Sequence, residues 1–276
     1  MSDDAFLDVP LQPLFITGTK GRLFCLYTPA KDIHREVFLF LPSFAEEMNR
    51  CRVMVAMQAR LLGAQGYGCL LLDYHGTGDS DGDFADTAWE QWRDDALTAY
   101  HWLASQGYEH VVLWGVRVGA LLAAELASQE RQYFSRLILW QPVLDGQAFL
   151  TQFFRIRLAM LMDRGEQKET TQQMRQQLQQ GHNIEVAGYT ITPEIAIALD
   201  TKKISVYQDI EIPMDWFEVV MDGEGAFSLA SQKIIAAWRQ RGITVNTYSY
   251  QGPAFWQLHE RELTPELLEK TTTLFL

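Results

Sequence analysis

The stretch from residue 110 to residue 129 reads HVVLWGVRVGALLAAELASQ, and it constrains the fold more than any other part of the chain. Its first residues form a short apolar run of strand length, and its last residues are rich in the helix-favouring Ala and Leu. Between them, residues 115–119 read GVRVG, so that two glycines four positions apart surround Arg117. The pattern predicts an apolar strand that meets a helix through a tight turn, with a charged side chain at its centre.

Apolar runs of strand length recur along the chain and alternate with helix-like segments. The runs are residues 36–42, 66–76, 110–114, 136–142, 214–222 and 243–251. Strands that are apolar throughout are typical of parallel sheets buried on both faces. Residues 11–28 add an antiparallel hairpin around the turn at 19–21. The sequence therefore predicts an α/β fold, with a mostly parallel central sheet and helices on both of its faces.

Two helices between the early strands can be placed from their patterns. Residues 50–65 carry apolar side chains on one helical face, and residues 87–106 form a second helical stretch. Thr87 is the expected N-cap of that second helix, because Glu90 follows three residues later in the pattern of a capping box.

The alternation stops after the fourth strand of the series. Residues 147–181 are helical and rich in glutamine, residues 183–192 resemble a short hairpin, and Thr192-Pro193 opens another helix. We therefore expect one domain over residues 1–276, with a helical cap insertion at about 147–208.

Composition excludes several classes of function. The 276 residues carry a net charge of −12 without a basic patch, which argues against nucleic acid as a partner. No apolar run has the length of a transmembrane segment, and residues 1–10 lack the pattern of a secretory signal. The odd number of cysteines, three, favours a reducing compartment, and their spacing is not that of metal ligands. We expect a cytoplasmic protein with no metal and no cofactor.

In a parallel sheet of this kind, functional sites lie at the carboxyl ends of the strands. The loop after residues 36–41 offers Ser43, Phe44, Glu46, Glu47 and Asn49 as pocket residues, and Val118 lies beside Arg117. Asp222, followed by Glu224, comes after a later strand, and His259 follows the last strand. Arg117 stays protonated, and its planar fork suits a carboxylate or a phosphate. Two partners remain open for it: an internal carboxylate, Glu46 or Glu47, or the anion of a ligand.

The order of these elements and motifs resembles the α/β-hydrolase superfamily over nearly the whole chain. Residues 73–82, DYHGTGDSDG, are similar to the family's D-x-R-G-x-G-x-S-x-G loop, and residues 115–119 match its G-x-S-x-G nucleophile elbow. The resemblance implies that Arg117 takes the place of the nucleophilic serine and that Asp222 takes the place of the acid. The expected histidine position holds Pro253 and Ala254, and His259 lies about one helical turn further on.

A closer likeness is carried by four segments: residues 42–52, the elbow with its arginine, residues 185–194 and residues 252–257. Together they resemble the group called exosortase A system-associated hydrolase 2. That group is linked to bacterial loci for exopolysaccharide and for the sorting of PEP-CTERM proteins, and the resemblance implies the same setting here.

An arginine cannot be deprotonated by a neighbouring histidine and attack a carbonyl carbon. We therefore expect a hydrolase-fold protein that is not a serine hydrolase and that acts as an accessory or binding protein. The alternative is a hydrolase or acyltransferase of non-serine mechanism, in which Arg117 binds an anionic or ester substrate and Glu47 or Asp222 acts as base. The helix over residues 149–162 would cover the pocket or bind a protein partner, and the oligomeric state is left open.

Overall fold

The computed structural model describes residues 9–163, 169–220, 226–257 and 262–276. Within these ranges the strands are β1 (Gln12–Thr17), β2 (Arg22–Thr28), β3 (Val37–Leu41), β4 (Gly68–Leu72), β5 (Val111–Val116), β6 (Phe134–Trp140), β7 (Ile184–Val186), β8 (Tyr189–Ile191), β9 (Met214–Val219) and β10 (Val245–Tyr250). The helices are α1 (Glu46–Ala64), α2 (Trp89–Ser105), α3 (Val118–Gln129), α4 (Gly146–Asp163), α5 (Thr171–Gln179), α6 (Pro193–Thr201), α7 (Leu229–Gln240) and α8 (Pro265–Thr273).

The central sheet has the strand order β1-β2-β4-β3-β5-β6-β9-β10. Every neighbouring pair from β4 to β10 is parallel, whereas β1 and β2 are antiparallel to each other and β2 is antiparallel to β4. Strands β7 and β8 form a separate antiparallel hairpin. The mostly parallel sheet and both hairpins, at residues 11–28 and 183–192, are as the sequence predicts.

Side chains alternate along each central strand between two apolar layers. In β5, Val111 and Leu113 belong to one buried cluster, and Val112 and Trp114 belong to the other. The first layer packs against α2, α3 and α7, and the second packs against α1 and α8. The sheet is thus covered by helices on both faces, and this confirms the predicted α/β class.

The turn between β5 and α3 depends on its two glycines. A Cβ atom on Gly115 would lie 2.5 Å from the carbonyl oxygen of Gly119, in the first turn of α3. A Cβ atom on Gly119 would lie 2.2 Å from the carbonyl oxygen of Leu41 and 2.4 Å from that of Pro42. Only glycine at both positions lets α3 start against its own strand and against the end of β3.

Helix α1 begins four residues before the predicted start at residue 50. Its N-cap is Ala45, which has a φ of +50° and forms no side-chain cap hydrogen bond, so no capping residue marks the boundary in the sequence. Glu46 and Glu47 therefore belong to the first turn of α1, where a carboxylate is favoured by the helix dipole. The expectation that they lie on a loop was wrong.

The prediction that Thr87 caps α2 was also wrong. The N-cap is Ala88, which forms no side-chain cap hydrogen bond. The Thr87 hydroxyl instead donates to the Phe84 carbonyl oxygen, which closes a short 3₁₀ turn before the helix. Because α2 starts one residue later than predicted, Thr87 belongs to the preceding turn and does not occupy the capping position.

The residues between β6 and β9, which we call the inter-strand segment, contain α4, α5, the β7–β8 hairpin and α6. The predicted helical stretch over 147–181 divides into α4 and α5. Thr170 starts α5, because its hydroxyl accepts from the Gln173 amide in a capping box. Residues 164–168 lie outside the described ranges.

A buried carboxylate joins the inter-strand segment to α3. Glu125 lies on α3 and is almost fully buried. It accepts hydrogen bonds from Lys202 Nζ at 2.9 and 3.0 Å, from Trp89 Nε1 at 3.1 Å and from the Tyr207 hydroxyl. Burial, together with the bond to Glu125, raises the pKa of Tyr207. A buried carboxylate needs such partners, and they fix the end of α6 over the sheet.

We predict that Gly119→Ala lowers the free energy of unfolding by more than about 3 kcal/mol, because the new Cβ atom would overlap two backbone oxygens of β3 and its loop. Urea denaturation followed by circular dichroism measures the change. Gly181→Ala is the control, since its Cβ would meet no atom within 4 Å and only its φ of +89° would be strained. That variant should lose about 1–2 kcal/mol, and equal losses in both variants would contradict the steric explanation.

We predict that Lys202→Ala lowers the free energy of unfolding by about 3 kcal/mol, because Glu125 would keep a buried charge without its cation. The adjacent Lys203 provides a matched control. Its side chain is 51% exposed, against 17% for Lys202, and it pairs with the partly exposed Asp145. Lys203→Ala should cost less than about 0.5 kcal/mol. Similar losses in the two variants would show that the buried carboxylate does not depend on Lys202.

Candidate functional site

Arg117 occupies the turn between β5 and α3. Its backbone has a φ of +55° and a ψ of −116°, a conformation that L-residues rarely adopt. The Arg117 amide donates to the Trp140 carbonyl at the end of β6, and its carbonyl accepts from the Val143 amide. Because neighbouring segments hold both backbone groups, the strained residue is fixed with its side chain at the carboxyl edge of the sheet.

The turn between β3 and α1 has nearly the same backbone shape. Ala45 has a φ of +50° and a ψ of −129°, and it precedes α1 as Arg117 precedes α3. Since β3 and β5 are adjacent and parallel, the N-termini of the two helices lie side by side. This arrangement places Glu47, in the first turn of α1, opposite Arg117.

The Arg117 guanidinium forms a two-nitrogen ion pair with Glu47. Nε lies 3.3 Å from each carboxylate oxygen, and Nη2 lies 3.0 Å from Oε1. Each side chain is 17% exposed. Glu47 Oε2 also accepts a hydrogen bond of 2.7 Å from the Ser43 hydroxyl. Of the two partners left open by the sequence, the internal carboxylate is thus present, and it is Glu47.

The ion pair uses only one edge of the guanidinium. Nε and Nη2 face Glu47, while Nη1 has no hydrogen-bond partner among the described residues. Two aromatic rings flank the group: the guanidinium carbon lies 5.0 Å from the ring centre of Trp256 and 6.0 Å from that of Phe149. Aromatic faces attract cations, so the rings help to hold the side chain in place.

A cavity of about 400 Å³ opens beside the ion pair. Its polar lining consists of Glu46, Glu47, Arg117, Gln152, Arg155 and Gln257, and its apolar lining consists of Phe149, Phe153, Ile156, Ala159 and Trp256. Most of the apolar wall comes from α4, so the inter-strand segment covers the carboxyl edge of the sheet at this point. The cavity combines an apolar wall with a few convergent polar groups, as ligand pockets do.

Glu46 faces the same cavity but is bound to other partners. It accepts hydrogen bonds from Asn49 Nδ2 at 3.0 Å and from the Tyr189 hydroxyl at 3.3 Å, and it pairs with Arg50 Nε at 3.1 Å. Partial burial next to the Glu46 carboxylate raises the pKa of Tyr189 to about 12. Glu46 therefore connects α1 to β8 of the inter-strand segment and does not contact Arg117.

The remaining predicted pocket residues lie around this cavity rather than in its lining. Phe44 is fully buried and packs edge-on against Phe149 and Phe153, and Val118 is buried in the core. Ser43 lines a separate cavity of about 140 Å³ between α1 and the ends of β3 and β4. Asn49 lines a further cavity of about 240 Å³, together with Tyr189.

The other predicted catalytic residues cannot be placed. Asp222 and Glu224 fall in residues 221–225, and His259 falls in residues 258–261, both outside the described ranges. Their roles stay predictions. The described histidines do not line the Arg117 cavity within the part of the chain that the structure covers.

Sequence reasoning missed several lining residues. Trp256 and Gln257 follow shortly after Pro253 and Ala254, the position where a histidine was expected, and Arg155 lies on the helix that was expected to cover the pocket or bind a protein partner. The signal for Arg155 was present in the sequence, because Gln152, Arg155 and Ala159 follow one another at three- and four-residue spacing and so share one side of α4.

Two findings on the described residues bear on cofactors and membranes. In residues 9–163, 169–220, 226–257 and 262–276, no group of three or more His, Cys, Asp or Glu side chains is arranged to hold a metal ion. The helices in the same ranges are too short or too polar to cross a bilayer.

Comparison with solved structures finds the same fold in several hydrolases. Est1E from Butyrivibrio proteoclasticus, solved with bound ferulic acid, is 16% identical with a TM-score of 0.64, over 95% of each chain. A putative hydrolase from Agrobacterium vitis S4 is 15% identical with a TM-score of 0.65, over 96% of this chain and 98% of that one. At these identities the likeness concerns the fold alone.

No curated protein has a significant match to the sequence. The sequence model of one family, Hydrolase_4, described as serine aminopeptidase, S33, matches residues 33–193, which is more than half of the chain. This range runs from before β3 through the Arg117 turn to the start of α6. The chain has the α/β-hydrolase fold and belongs to the Hydrolase_4 family.

Proposed function

We propose that this protein is a ligand-binding member of its family that does not perform serine-hydrolase chemistry. The observation that carries the proposal is the ion pair of Arg117 with Glu47 at the β5–α3 turn. In the α/β-hydrolase fold the strained strand-to-helix turn presents the nucleophile, and here it presents a guanidinium. A guanidinium offers only hydrogen-bond donors, so it binds an anion and attacks nothing.

The surroundings of Glu47 support the same proposal. As a general base toward water, this carboxylate would need a free lone pair directed at the substrate. Both of its oxygens instead accept from Arg117, and one also accepts from Ser43. A carboxylate with its lone pairs engaged in this way orients the arginine, and it does not suit the base required by a non-serine hydrolase or acyltransferase.

The closer likeness to the exosortase A system-associated hydrolase 2 group supports a finer proposal. Residues 42–52 contain Glu46 and Glu47, residues 185–194 contain Tyr189, and residues 252–257 contain Trp256. The first and third of these segments line the cavity, and Tyr189 of the second donates a hydrogen bond to Glu46 beside it, so the likeness concerns the site and its surroundings. We extend the proposal to an accessory role in an exopolysaccharide or PEP-CTERM sorting locus, and we place that role in the cytoplasm. The inter-strand segment would be the cap over the ligand, and α4 would be the surface that binds a protein partner.

We predict that the purified full-length protein does not hydrolyse p-nitrophenyl acetate, butyrate or octanoate above the rate measured with heat-denatured protein. A fluorophosphonate probe, which labels activated serines, should leave it unlabelled, because the turn holds no hydroxyl. Turnover that disappears in both Arg117→Gln and Glu47→Gln would replace the proposal by the non-serine enzyme. Labelling that disappears in Ser43→Ala would instead identify Ser43 as a nucleophile.

We predict an unequal cost for the two halves of the ion pair. Glu47→Ala should lower the free energy of unfolding by about 3 kcal/mol, because it leaves a partly buried cation at a helix N-terminus. Arg117→Ala should cost about 1 kcal/mol, and the double variant should reveal a coupling energy of about 2 kcal/mol. Urea denaturation of the four proteins gives these values.

The exposed pair of Arg131 with Glu211 is the control for this cycle. The same alanine cycle there should give little coupling, since water and salt screen exposed charges. A coupling at Arg117–Glu47 no larger than that of the surface pair would mean that the ion pair does not organise the turn.

A further inference from the structure

We propose that the ligand held at Arg117 is an aliphatic monocarboxylic acid, with its carboxylate on the free edge of the guanidinium and its chain along α4. This inference rests on the proposed function and names the ligand class of the same site. The free edge of Arg117, the charge balance of the cavity and its apolar wall carry it together.

The free edge comes from the way in which Glu47 binds Arg117. Glu47 occupies the side of the fork formed by Nε and Nη2, and Nη1 has no partner in the described residues. A guanidinium presents a second pair of parallel N–H groups on Nη1 and Nη2. That pair matches the two oxygens of a planar carboxylate, so Glu47 positions the fork for a second anion without using up its donors.

The charges of the cavity limit the ligand to a single negative charge. Arg117 is balanced by Glu47, and Glu46 is balanced by Arg50. This leaves Arg155, whose side chain has, among the described residues, a single polar partner, Gln152, at a long hydrogen-bond distance of 3.5 Å. One uncompensated cation favours a monoanion, whereas a phosphate monoester would bring a second negative charge with nothing to neutralise it.

The apolar wall of the cavity favours a ligand with an aliphatic chain. Phe149, Phe153, Ile156, Ala159 and Trp256 form an apolar side next to the charged end. Helix α4 continues this side beyond the cavity with Met160, which lies seven residues after Phe153 and has an exposed side chain. An aliphatic chain gains free energy by covering such a strip, and a short polar acid gains nothing from it. The cavity volume of about 400 Å³ lies in the range of small-ligand pockets.

Isothermal titration calorimetry with octanoate, 1-octanol, octylammonium and acetate tests the ligand class. Octanoate should bind the wild-type protein at least about 10-fold more tightly than 1-octanol or acetate, because each of these lacks one of the two recognised parts. Octylammonium should not bind. Equal affinity for octanoate and 1-octanol would overturn the inference, as would equal affinity for octanoate and acetate.

Substitutions at Arg117 and Ala159 test whether octanoate binds in this cavity. Arg117→Gln should weaken octanoate about 10-fold or more, and Arg117→Lys, which keeps the charge but loses the fork, should also weaken it. Arg131→Gln removes a distant surface arginine and should leave the affinity unchanged. Ala159→Glu, at an exposed position of the wall, should weaken the binding of octanoate more than Ala159→Gln does. This pair of variants still tests the site if the Arg117 variants fold poorly. Unchanged binding in folded Arg117→Gln would overturn the inference.

The same measurements separate this inference from the function on which it rests. If acetate binds in an Arg117-dependent manner while octanoate gains nothing from its chain, the ligand class is wrong and anion binding at Arg117 remains. If the wild-type protein hydrolyses p-nitrophenyl octanoate, the non-catalytic function is wrong, whatever the affinity for free octanoate.

Discussion

The site is organised by the need to neutralise a cation at a helix N-terminus. The first turns of α1 and α3 both direct partial positive charge towards the carboxyl edge of the sheet, and Arg117 adds a full charge at the start of α3. Glu47 lies between these groups and accepts from the guanidinium with both oxygens. The orientation of the arginine and the polar end of the cavity both follow from this one carboxylate.

The ion pair in turn depends on close backbone packing. Gly115 and Gly119 allow α3 to start against β5 and against the end of β3, which brings the two helix starts together. The apolar strands, which are buried on both faces, support the two helix starts. The contacts of Glu125 with Lys202 and Tyr207 attach the inter-strand segment to α3. The charged site thus lies where the start of α1, the start of α3 and helix α4 of the inter-strand segment meet.

The fold could be predicted from the sequence largely because its strands are continuous apolar runs and its critical turn carries two glycines. The start of α1 could not, because Ala45 is held at a positive φ by its surroundings and gives no capping signal. For the same reason the sequence left two carboxylates as partners for Arg117. Glu46 and Glu47 are adjacent in sequence but diverge by about 100° around a helix, and only the true helix start decides which of them faces the arginine. Trp256 reaches the cavity from a segment distant in sequence, and no local pattern reveals that approach.

The unequal environments of the paired charges also make each residue depend on the other to a different degree. A glutamate at position 47 is compatible with two helix N-termini even when no arginine faces it, whereas an arginine at position 117 without that glutamate is a partly buried cation among positive partial charges. The two positions are therefore coupled in one direction: Arg117 depends on a carboxylate at position 47 more than Glu47 depends on a cation at position 117. A hydroxyl placed at this turn by Arg117→Ser would therefore come with an unpaired carboxylate beside it, and a second change at position 47 would be needed to remove that charge.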